Sequence, residues 1–284
     1  MNSPPSLLDS LALEPIEKNL YRGTSQSGFG GPRIFGGHVI AQALLAAYET
    51  VSERSCHSLH AYFVRPGNPA IPILYSVDRS RDGASFTTRR VTAIQNGEQI
   101  LNLAASFQVP EKGPVHQAAM PVAPGPETLS DEMQGPPPGT DPEMEKRMRE
   151  FAKLRPVEMR QVQPQNFNNP VKMAPHKFVW VRARGAIGPH VKLQHAALAF
   201  ASDMNLLETA MRPHAMSWNT PNLQSASLDH AVWFHQPFDF GDWHLFEQES
   251  TVAHSARGFI RGSVFSRDGR LVASVAQEGL LRLR

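Results

Sequence analysis

Apolar positions follow two different periods along the N-terminal half of the chain. Between residues 38 and 51, apolar side chains recur every three or four positions, which predicts a helix with one buried face. The stripe consists of Ile40, Leu44, Ala47 and Val51. Beyond this helix, runs of alternating character separated by Pro-Gly, Asp-Gly and Asn-Gly pairs predict four strands. We expect them at Ser58–Val64, Ile71–Arg79, Ser85–Gln95 and Gln99–Val109.

The C-terminal half has a similar pattern. A helix is predicted from Lys192 to Met211, where the apolar stripe is Leu193, Ala197, Phe200, Met204, Leu207 and Met211. Two strands are expected before this helix, at Val157–Val162 and Lys177–Ala183, and four after it. Those four are predicted at Ala226–Phe234, Trp243–Ala253, Ala256–Ser266 and Arg270–Gly279.

The two halves also share sequence. HAYFVRP, from His60, resembles HAVWFHQP, from His230, and the turn NGEQI resembles DGRLV, with separations of about 170 to 172 positions. A repeat of this length indicates a duplicated domain. We expect one copy in residues 1–110, a Pro-rich linker with a short helix near Asp141 in residues 111–155, and a second copy in residues 156–284.

One long helix followed by consecutive strands indicates an antiparallel sheet that wraps around that helix. The predicted fold class is therefore α+β, with two tandem repeats that each contain a sheet around a long central helix. This order of elements excludes a doubly wound parallel sheet.

Composition narrows the possible functions. The chain of 284 residues is 41% hydrophobic, has a formal net charge of +2 and contains one cysteine, Cys56. Such a small charge does not favour nucleic acid as a partner, and a single thiol excludes a disulfide framework or a thiolate metal site. Because no apolar run approaches the roughly 18 residues of a membrane span, we expect no membrane partner and a cytoplasmic location.

Three polar residues of the second copy are candidates for chemistry. Asp203 lies beside the predicted buried stripe, Ser227 begins a strand, and Gln277 shares a strand face with Leu271, Ala273 and Val275. Each also has an ordinary structural interpretation, as a helix acid bonded to backbone, an edge hydroxyl or a packed amide. Together, a carboxylate, a hydroxyl and an amide could hold and deprotonate one water molecule. The histidines, including His60 and His230, are expected to be structural.

Several motifs identify a family. FGGHVIAQAL, HSLHAYFVRPG, ASDMNLL, SLDHAVWFHQPF and SARGFIRGSVFSRDGRLVASVAQEG occur in one order and resemble the type II acyl-CoA thioesterases, which have tandem hot-dog domains. The resemblance implies hydrolysis of acyl-CoA to fatty acid and coenzyme A, without a metal or cofactor. It assigns the positioning of the hydrolytic water to Asp203, Ser227 and Gln277, with Ser227 in a place that is threonine in many members. It also implies a homodimer or homotetramer.

Two other functions are possible on the same fold. An enoyl-CoA hydratase would pair the helix aspartate with a nearby histidine in a D-x-N-P-x-H pattern, whereas Leu206 and Leu207 follow Asn205 here. A non-catalytic acyl-CoA binding protein would not need the three polar residues.

The phosphates of the coenzyme are expected to bind cationic side chains. The candidates on the repeated strands are Arg65, Arg89, Arg90, Arg257 and Arg261.

The two copies differ where the chemistry is expected. Ala105 stands at the position that corresponds to Gln277, and the first helix has no carboxylate from His38 through Tyr48. We therefore expect one catalytic site per chain, with the first copy as its structural partner.

Overall fold

The computed structural model describes residues 6–25, 33–131, 142, 146 and 155–284. In these residues the helices are α1 (Leu7–Leu11), α2 (Gly36–Tyr48), α3 (Val191–Ser202) and α4 (Glu208–Met211). The first-copy strands are β1 (Leu13–Glu17), β2 (Leu20–Gly23), β3 (Ser55–Phe63), β4 (Ile73–Asp82), β5 (Phe86–Gln95) and β6 (Glu98–Gln108). The second-copy strands are β7 (Val157–Gln161), β8 (His176–Ala183), β9 (Leu223–Ser227), β10 (Asp229–Phe234), β11 (His244–His254), β12 (Arg257–Ser266) and β13 (Leu271–Leu283).

The strands of the described residues form one continuous antiparallel sheet. Its order is β1-β2-β4-β5-β6-β3-β10-β13-β12-β11-β8-β7, and β9 pairs with the end of β13. The first six strands belong to one copy and the next six to the other, in mirrored order. The seam is the pairing of β3 with β10, in which Ala61 lies opposite His230. The two copies therefore share a single sheet.

Two helices fill the inner side of this sheet. α2 is buried on all its faces, as expected of an apolar helix enclosed by the core, and it packs against α3. The start of α2 meets the end of α3 at Gly37 and Asp203, while Glu49 after α2 pairs with Lys192 near the start of α3. The helices are thus antiparallel, and each end of the pair joins one helix N-terminus to the other C-terminus.

The predicted helix over Lys192–Met211 is wrong in its length. α3 ends at Ser202, and residues 203–207 form a turn before the short helix α4. Asn205 has a φ of 56°, in the left-handed region that asparagine tolerates and that commonly ends helices. The Lys177 ammonium stabilises this turn, because it donates to the Asn205 carbonyl oxygen at 2.9 Å and to Glu208 Oε2 at 3.0 Å. Both side chains of this ion pair are fully buried.

Two further differences from the predicted elements concern a divided strand and three missed elements, and one predicted helix is not tested. The predicted strand Ala226–Phe234 is divided at Leu228, which donates to the Glu278 carbonyl and accepts from the Phe63 N–H. The sequence pattern missed α1, β1 and β2, because each has only four or five residues, too few to show a period, and β1 is also largely exposed. The helix predicted near Asp141 lies outside the described residues, apart from two helical positions at 142 and 146.

The first part of the predicted linker lies against the second copy. The Trp180 indole donates to the Pro124 carbonyl at 2.7 Å, and Met120, Ala123 and Leu129 pack on a cluster that contains Trp180 and Trp243. Domain boundaries at residues 110 and 155 stay a prediction. None of the helices in the part of the chain described above has the length and apolarity needed to cross a bilayer.

Candidate active site

Asp203, Ser227 and Gln277 meet at one end of the helix pair. Asp203 Oδ1 accepts a hydrogen bond of 3.1 Å from Ser227 Oγ and another of 3.1 Å from Gln277 Nε2. Gln277 Nε2 also donates to Ser227 Oγ at 2.5 Å. Three residues that lie far apart in the sequence thus form one hydrogen-bonded cluster. The residues bring together a carboxylate, a hydroxyl and an amide, as the sequence predicted.

Local structure explains each position. Asp203 is the residue directly after α3, which places its carboxylate beyond the last helical turn. Ser227 is the last residue of β9 and lies opposite Gly279. Gln277 is buried on the inner face of β13, in the same alternation as Ala273 and Val275. Gly279 leaves space for Leu207, since a Cβ at Gly279 would lie 2.5 Å from Leu207 Cδ1.

The first copy contributes the glycine pair at the start of α2. The Gly37 backbone N–H donates to the Asp203 carboxylate. A Cβ on Gly37 would lie 2.4 Å from the Phe200 carbonyl oxygen, and a Cβ on Gly36 would lie 2.8 Å from Asp203 Oδ2. These glycines therefore allow the end of α3 to approach the start of α2, where N–H groups favour a negative charge.

Burial dominates the electrostatics of the cluster. It raises the pKa of Asp203 above the usual aspartate value, because the charged form loses solvation. The hydrogen-bond donors Ser227, Gly37 and Gln277 act in the opposite direction and favour the carboxylate. A buried aspartate with a raised pKa beside a pocket is typical of a general base.

A fourth residue of the cluster was missed by the sequence analysis. The His230 side chain is fully buried, and its Nδ1 lies 3.0 Å from Gln277 Oε1. The sequence repeat aligns His230 with His60. In the sheet the pairing of β3 with β10 is displaced by one residue from that alignment, so that Ala231 lies opposite His60. His60 faces outward and contacts Asp229, whereas His230 faces inward opposite Ala61. A shift of one residue reverses the face of every side chain, so the alignment gave no signal for the role of His230.

A pocket of about 360 Å³ opens beside the cluster. Its walls come from both copies and include Gly36, Phe63 and Ile100 from the first and Ser227 and Leu228 from the second. Most of the lining is apolar. Two exposed arginines, Arg33 and Arg65, also line it. The pocket suits a ligand with an apolar part near Ser227 and anionic groups near its rim.

The five arginine candidates separate into different places. Arg65 lines the pocket, with its guanidinium bonded to the Gln99 carbonyl and Glu98. Arg90, Arg257 and Arg261 are exposed on their strands and do not line it. Arg33, which does, was not among the candidates.

Arg89, the fifth candidate, is buried and does not line the pocket. It is a neighbour of Arg90 on β5 and therefore faces the other side of the sheet, where its guanidinium is buried. That guanidinium binds Asp82 Oδ1 at 2.6 Å and the Thr50 hydroxyl at 2.8 Å. These contacts make it part of the packing of the first copy, so Arg89 is unsuited to a coenzyme phosphate at the pocket rim.

The other end of the helix pair lacks the same groups. Glu49 follows α2 as Asp203 follows α3. It therefore supplies a carboxylate one residue beyond His38–Tyr48, the stretch of the first helix that has none. Glu49 is, however, half-exposed and paired with Lys192 at 2.7 Å. Ala105, buried on the inner face of β6, stands where β13 carries Gln277. Among the described residues, this end therefore has neither a buried carboxylate after the helix nor an amide at the strand position of Gln277.

Comparison with known proteins gives one consistent result. A family described as acyl-CoA thioesterase matches residues 148–280, and one described as acyl-CoA thioesterase N-terminal domain matches residues 25–108. Acyl-CoA thioesterase 2 of Haemophilus influenzae is 40% identical, over 98% of this chain and 97% of that protein. Human acyl-coenzyme A thioesterase 8 is 41% identical, over 96% of this chain and 88% of that protein.

The chain belongs to the acyl-CoA thioesterase family.

Solved structures agree with this assignment. The acyl-CoA thioesterase II TesB2 of Mycobacterium marinum is 39% identical to this thioesterase, with a TM-score of 0.79 over 96% of this chain and 97% of that one. A protein of Alicyclobacillus acidocaldarius described as having a hot-dog fold gives a TM-score of 0.77 at 19% identity, over 97% of both chains. That second likeness shows the fold, which is the hot-dog fold, and carries no statement about activity.

The asymmetry of the helix pair predicts one catalytic site in this thioesterase. Ala105→Gln would restore an amide near Glu49 but not a buried base, because Lys192 neutralises the exposed carboxylate. We expect Ala105→Gln to leave the turnover number of the protein unchanged and to create no activity in an Asp203→Asn background. Steady-state release of coenzyme A measures both variants.

A binding measurement provides the control. A non-hydrolysable acyl-CoA analogue, titrated by calorimetry, should saturate at one equivalent per chain. Two equivalents of tight binding, or turnover of the Ala105→Gln, Asp203→Asn double variant above that of Asp203→Asn alone, would show that the end at Glu49 still functions.

Proposed function

We propose that this thioesterase hydrolyses fatty acyl-CoA to a fatty acid and coenzyme A with a water molecule held by Asp203, Ser227 and Gln277. The observation that carries the proposal is the buried Asp203 carboxylate, which accepts from both other residues. Of the three, Ser227 lines the pocket, together with Gly36, and Asp203 and Gln277 lie directly behind it. We further propose that the chain is a double hot-dog, in which each copy supplies one wall of the site.

In the proposed reaction Asp203 removes a proton from water as the oxygen attacks the thioester carbonyl carbon. Ser227 and Gln277 orient that water, so that its attack needs little further ordering. The carbon–sulfur bond then breaks, and the proton held by Asp203 neutralises the departing thiolate. A thioester is reactive enough for direct attack by water, because sulfur donates weakly into the carbonyl and leaves readily.

The carbonyl oxygen gains negative charge when water attacks. The N-terminus of α2, which begins at Gly36 beside the pocket, offers backbone N–H groups and the positive end of a helix dipole. We assign the stabilisation of this oxyanion to that helix end. The role is consistent with the absence of side chains at residues 36 and 37, which lets other groups approach the backbone closely.

Substrate class follows from the lining of the pocket. Apolar walls at Val39, Phe63 and Ile100 suit an acyl chain, and arginines at the rim suit the phosphates of coenzyme A. The named relatives are acyl-CoA thioesterases, which supports the same substrate class. Assembly into homodimers or homotetramers stays a prediction from the family resemblance. A cytoplasmic location stays a prediction from the sequence, which has no long apolar run.

Asp203→Asn tests the proposed base. The amide keeps the shape of the side chain but cannot accept a proton from water, so we expect turnover to fall by about 10²–10⁴-fold. The variant should remain folded, since it removes a buried charge. Release of coenzyme A from acyl-CoA measures the loss, and thermal unfolding verifies the fold. Near-normal turnover in the folded variant would remove Asp203 from the mechanism.

Ser227 tests the hydrogen bonds to the base. The bond from the hydroxyl lowers the pKa of Asp203, so its removal in Ser227→Ala should raise that pKa. Because the base must be deprotonated, the acid limb of the kcat–pH profile should move to higher pH, and plateau turnover should fall about tenfold.

Ser227→Thr is the matched control, because it retains the hydroxyl. Its acid limb should coincide with that of the parent protein, and its turnover should stay within about threefold. If the alanine and threonine variants have the same profile, the hydroxyl does not contact the base during the reaction. Complete inactivity of Ser227→Ala would instead favour Ser227 as a covalent nucleophile.

Arg65 tests the coenzyme contact. Arg65→Glu places a negative charge beside the expected phosphates, so KM should rise about tenfold while kcat stays within about twofold. Arg261→Glu is the control, because Arg261 is also exposed and paired with a glutamate but lies outside the pocket. Equal effects of the two substitutions would assign the change in KM to net charge, and no change for Arg65→Glu would exclude the contact.

A further inference from the structure

His230 joins the site to the helix that carries Asp203. Its Nδ1 lies 3.0 Å from Gln277 Oε1, and its Nε2 lies 2.8 Å from the Oγ of Ser202, the residue before Asp203. His230 itself is wholly enclosed. The hydrogen-bonded chain therefore runs from Ser202 through His230 to Gln277 and returns to Asp203.

The contacts of Gln277 determine the direction of this chain. The amide nitrogen faces Asp203 and Ser227, so it donates to them, and the amide oxygen must face His230. A carbonyl oxygen only accepts, so the proton of the imidazole belongs on Nδ1. Burial lowers the pKa of His230, which keeps the ring neutral, so Nε2 is an acceptor. The Ser202 hydroxyl lies within reach of two acceptors, the Ala199 carbonyl oxygen at 3.0 Å and His230 Nε2 at 2.8 Å, and with the proton of the ring on Nδ1 it donates to Nε2.

The reverse orientation of the amide would disable the cluster. If the Gln277 side chain rotated by half a turn, its oxygen would face the Asp203 carboxylate, and its nitrogen would face the His230 N–H. Two acceptors would then meet at one end and two donors at the other, and each unsatisfied buried group costs about 1–3 kcal/mol. The His230 proton therefore opposes the orientation in which Gln277 could no longer donate toward the water site.

The first copy contains no counterpart of this contact. The inward residues of β3 are Leu59, Ala61 and Phe63, and the inner face of β6 carries Ala105 in place of Gln277. A buried histidine and a buried glutamine thus occur together at the end of the helix pair that has the base, and both are replaced by apolar residues at the corresponding strand positions of the first copy.

We propose that His230 is a positioning residue for thioester hydrolysis, whose Nδ1–H fixes the Gln277 amide so that its NH₂ group faces Asp203, Ser227 and the attacking water. The inference rests on the proposed function, in which Gln277 orients that water. His230 does not contact the substrate in this role, and its effect passes through Gln277 alone.

Two substitutions of nearly equal shape separate this role from simple packing. Asparagine can place an N–H close to the position of the imidazole Nδ1, whereas leucine offers no donor there. We expect His230→Leu to lower kcat by about tenfold or more with KM within about twofold. His230→Asn should restore most of that loss. Equal kcat values for the folded Asn and Leu variants would overturn the inference.

A double-mutant cycle with Gln277→Ala tests whether His230 acts through the amide. If it does, adding His230→Leu to Gln277→Ala should change kcat by less than about twofold, although the same substitution alone costs about tenfold. Full additivity would overturn the inference and leave the proposed function intact. An unchanged kcat of the folded Gln277→Ala protein would instead overturn the proposed role of Gln277, on which the inference depends.

A measurement on the unaltered protein requires no variant to fold. Nitrogen NMR of histidine-labelled protein distinguishes the two neutral tautomers of His230, whose signal is assigned by its loss in either variant or by its coupling to neighbouring residues. The Nδ1–H tautomer is expected. The Nε2–H tautomer would reverse the orientation of the amide and overturn the inference.

Discussion

Everything at the site depends on the close approach of two helix ends. There is no room for a side chain at residue 37, because its Cβ would lie 2.4 Å from the carbonyl oxygen of Phe200, in the last turn of α3. This absence of side-chain atoms allows the Gly37 N–H to reach the Asp203 carboxylate. The same approach places the carboxylate at the boundary between the copies, where the pocket opens. A helix pair held farther apart would leave the carboxylate buried without its backbone donor.

The position of the Asp203 carboxylate also depends on the turn that follows it. The turn that follows Asp203 is held by Lys177, which forms a fully buried ion pair with Glu208. Loss of one partner from such a pair typically costs about 3–5 kcal/mol, because the other charge remains buried and uncompensated. Beside the pair, Glu208 Oε1 and Gln248 Nε2 find no hydrogen-bond partner among the residues that the structure describes. This corner of the second copy is therefore not optimised for stability alone, which is common around functional groups.

The sequence predicted the composition of the site better than its geometry. Alternation along β13 correctly placed Gln277 on the inner face, because a strand has a strict period of two. The end of α3 was not predictable from the apolar stripe, which continues through Met204 and Leu207. Those residues are buried in a turn that depends on Lys177, a contact distant in sequence. His230 was missed for a related reason, since its register against β3 is set by pairing across the seam. Arg89 and Arg90 show the same limit, because only the sheet determines which of two neighbouring residues points inward.

The pairing of β3 with β10 has a consequence for how this protein can change over generations. One copy provides Gly37 and much of the pocket wall, while the other provides the carboxylate, the hydroxyl and the amide, so a change that removes either copy also removes part of the candidate site. The inner strand positions of the first copy are apolar, as at Leu59 and Ala105, and can vary as long as they stay apolar and leave the backbone at Gly37 in place. Half of the molecule is thus retained for its shape, and its sequence is constrained by packing rather than by chemistry.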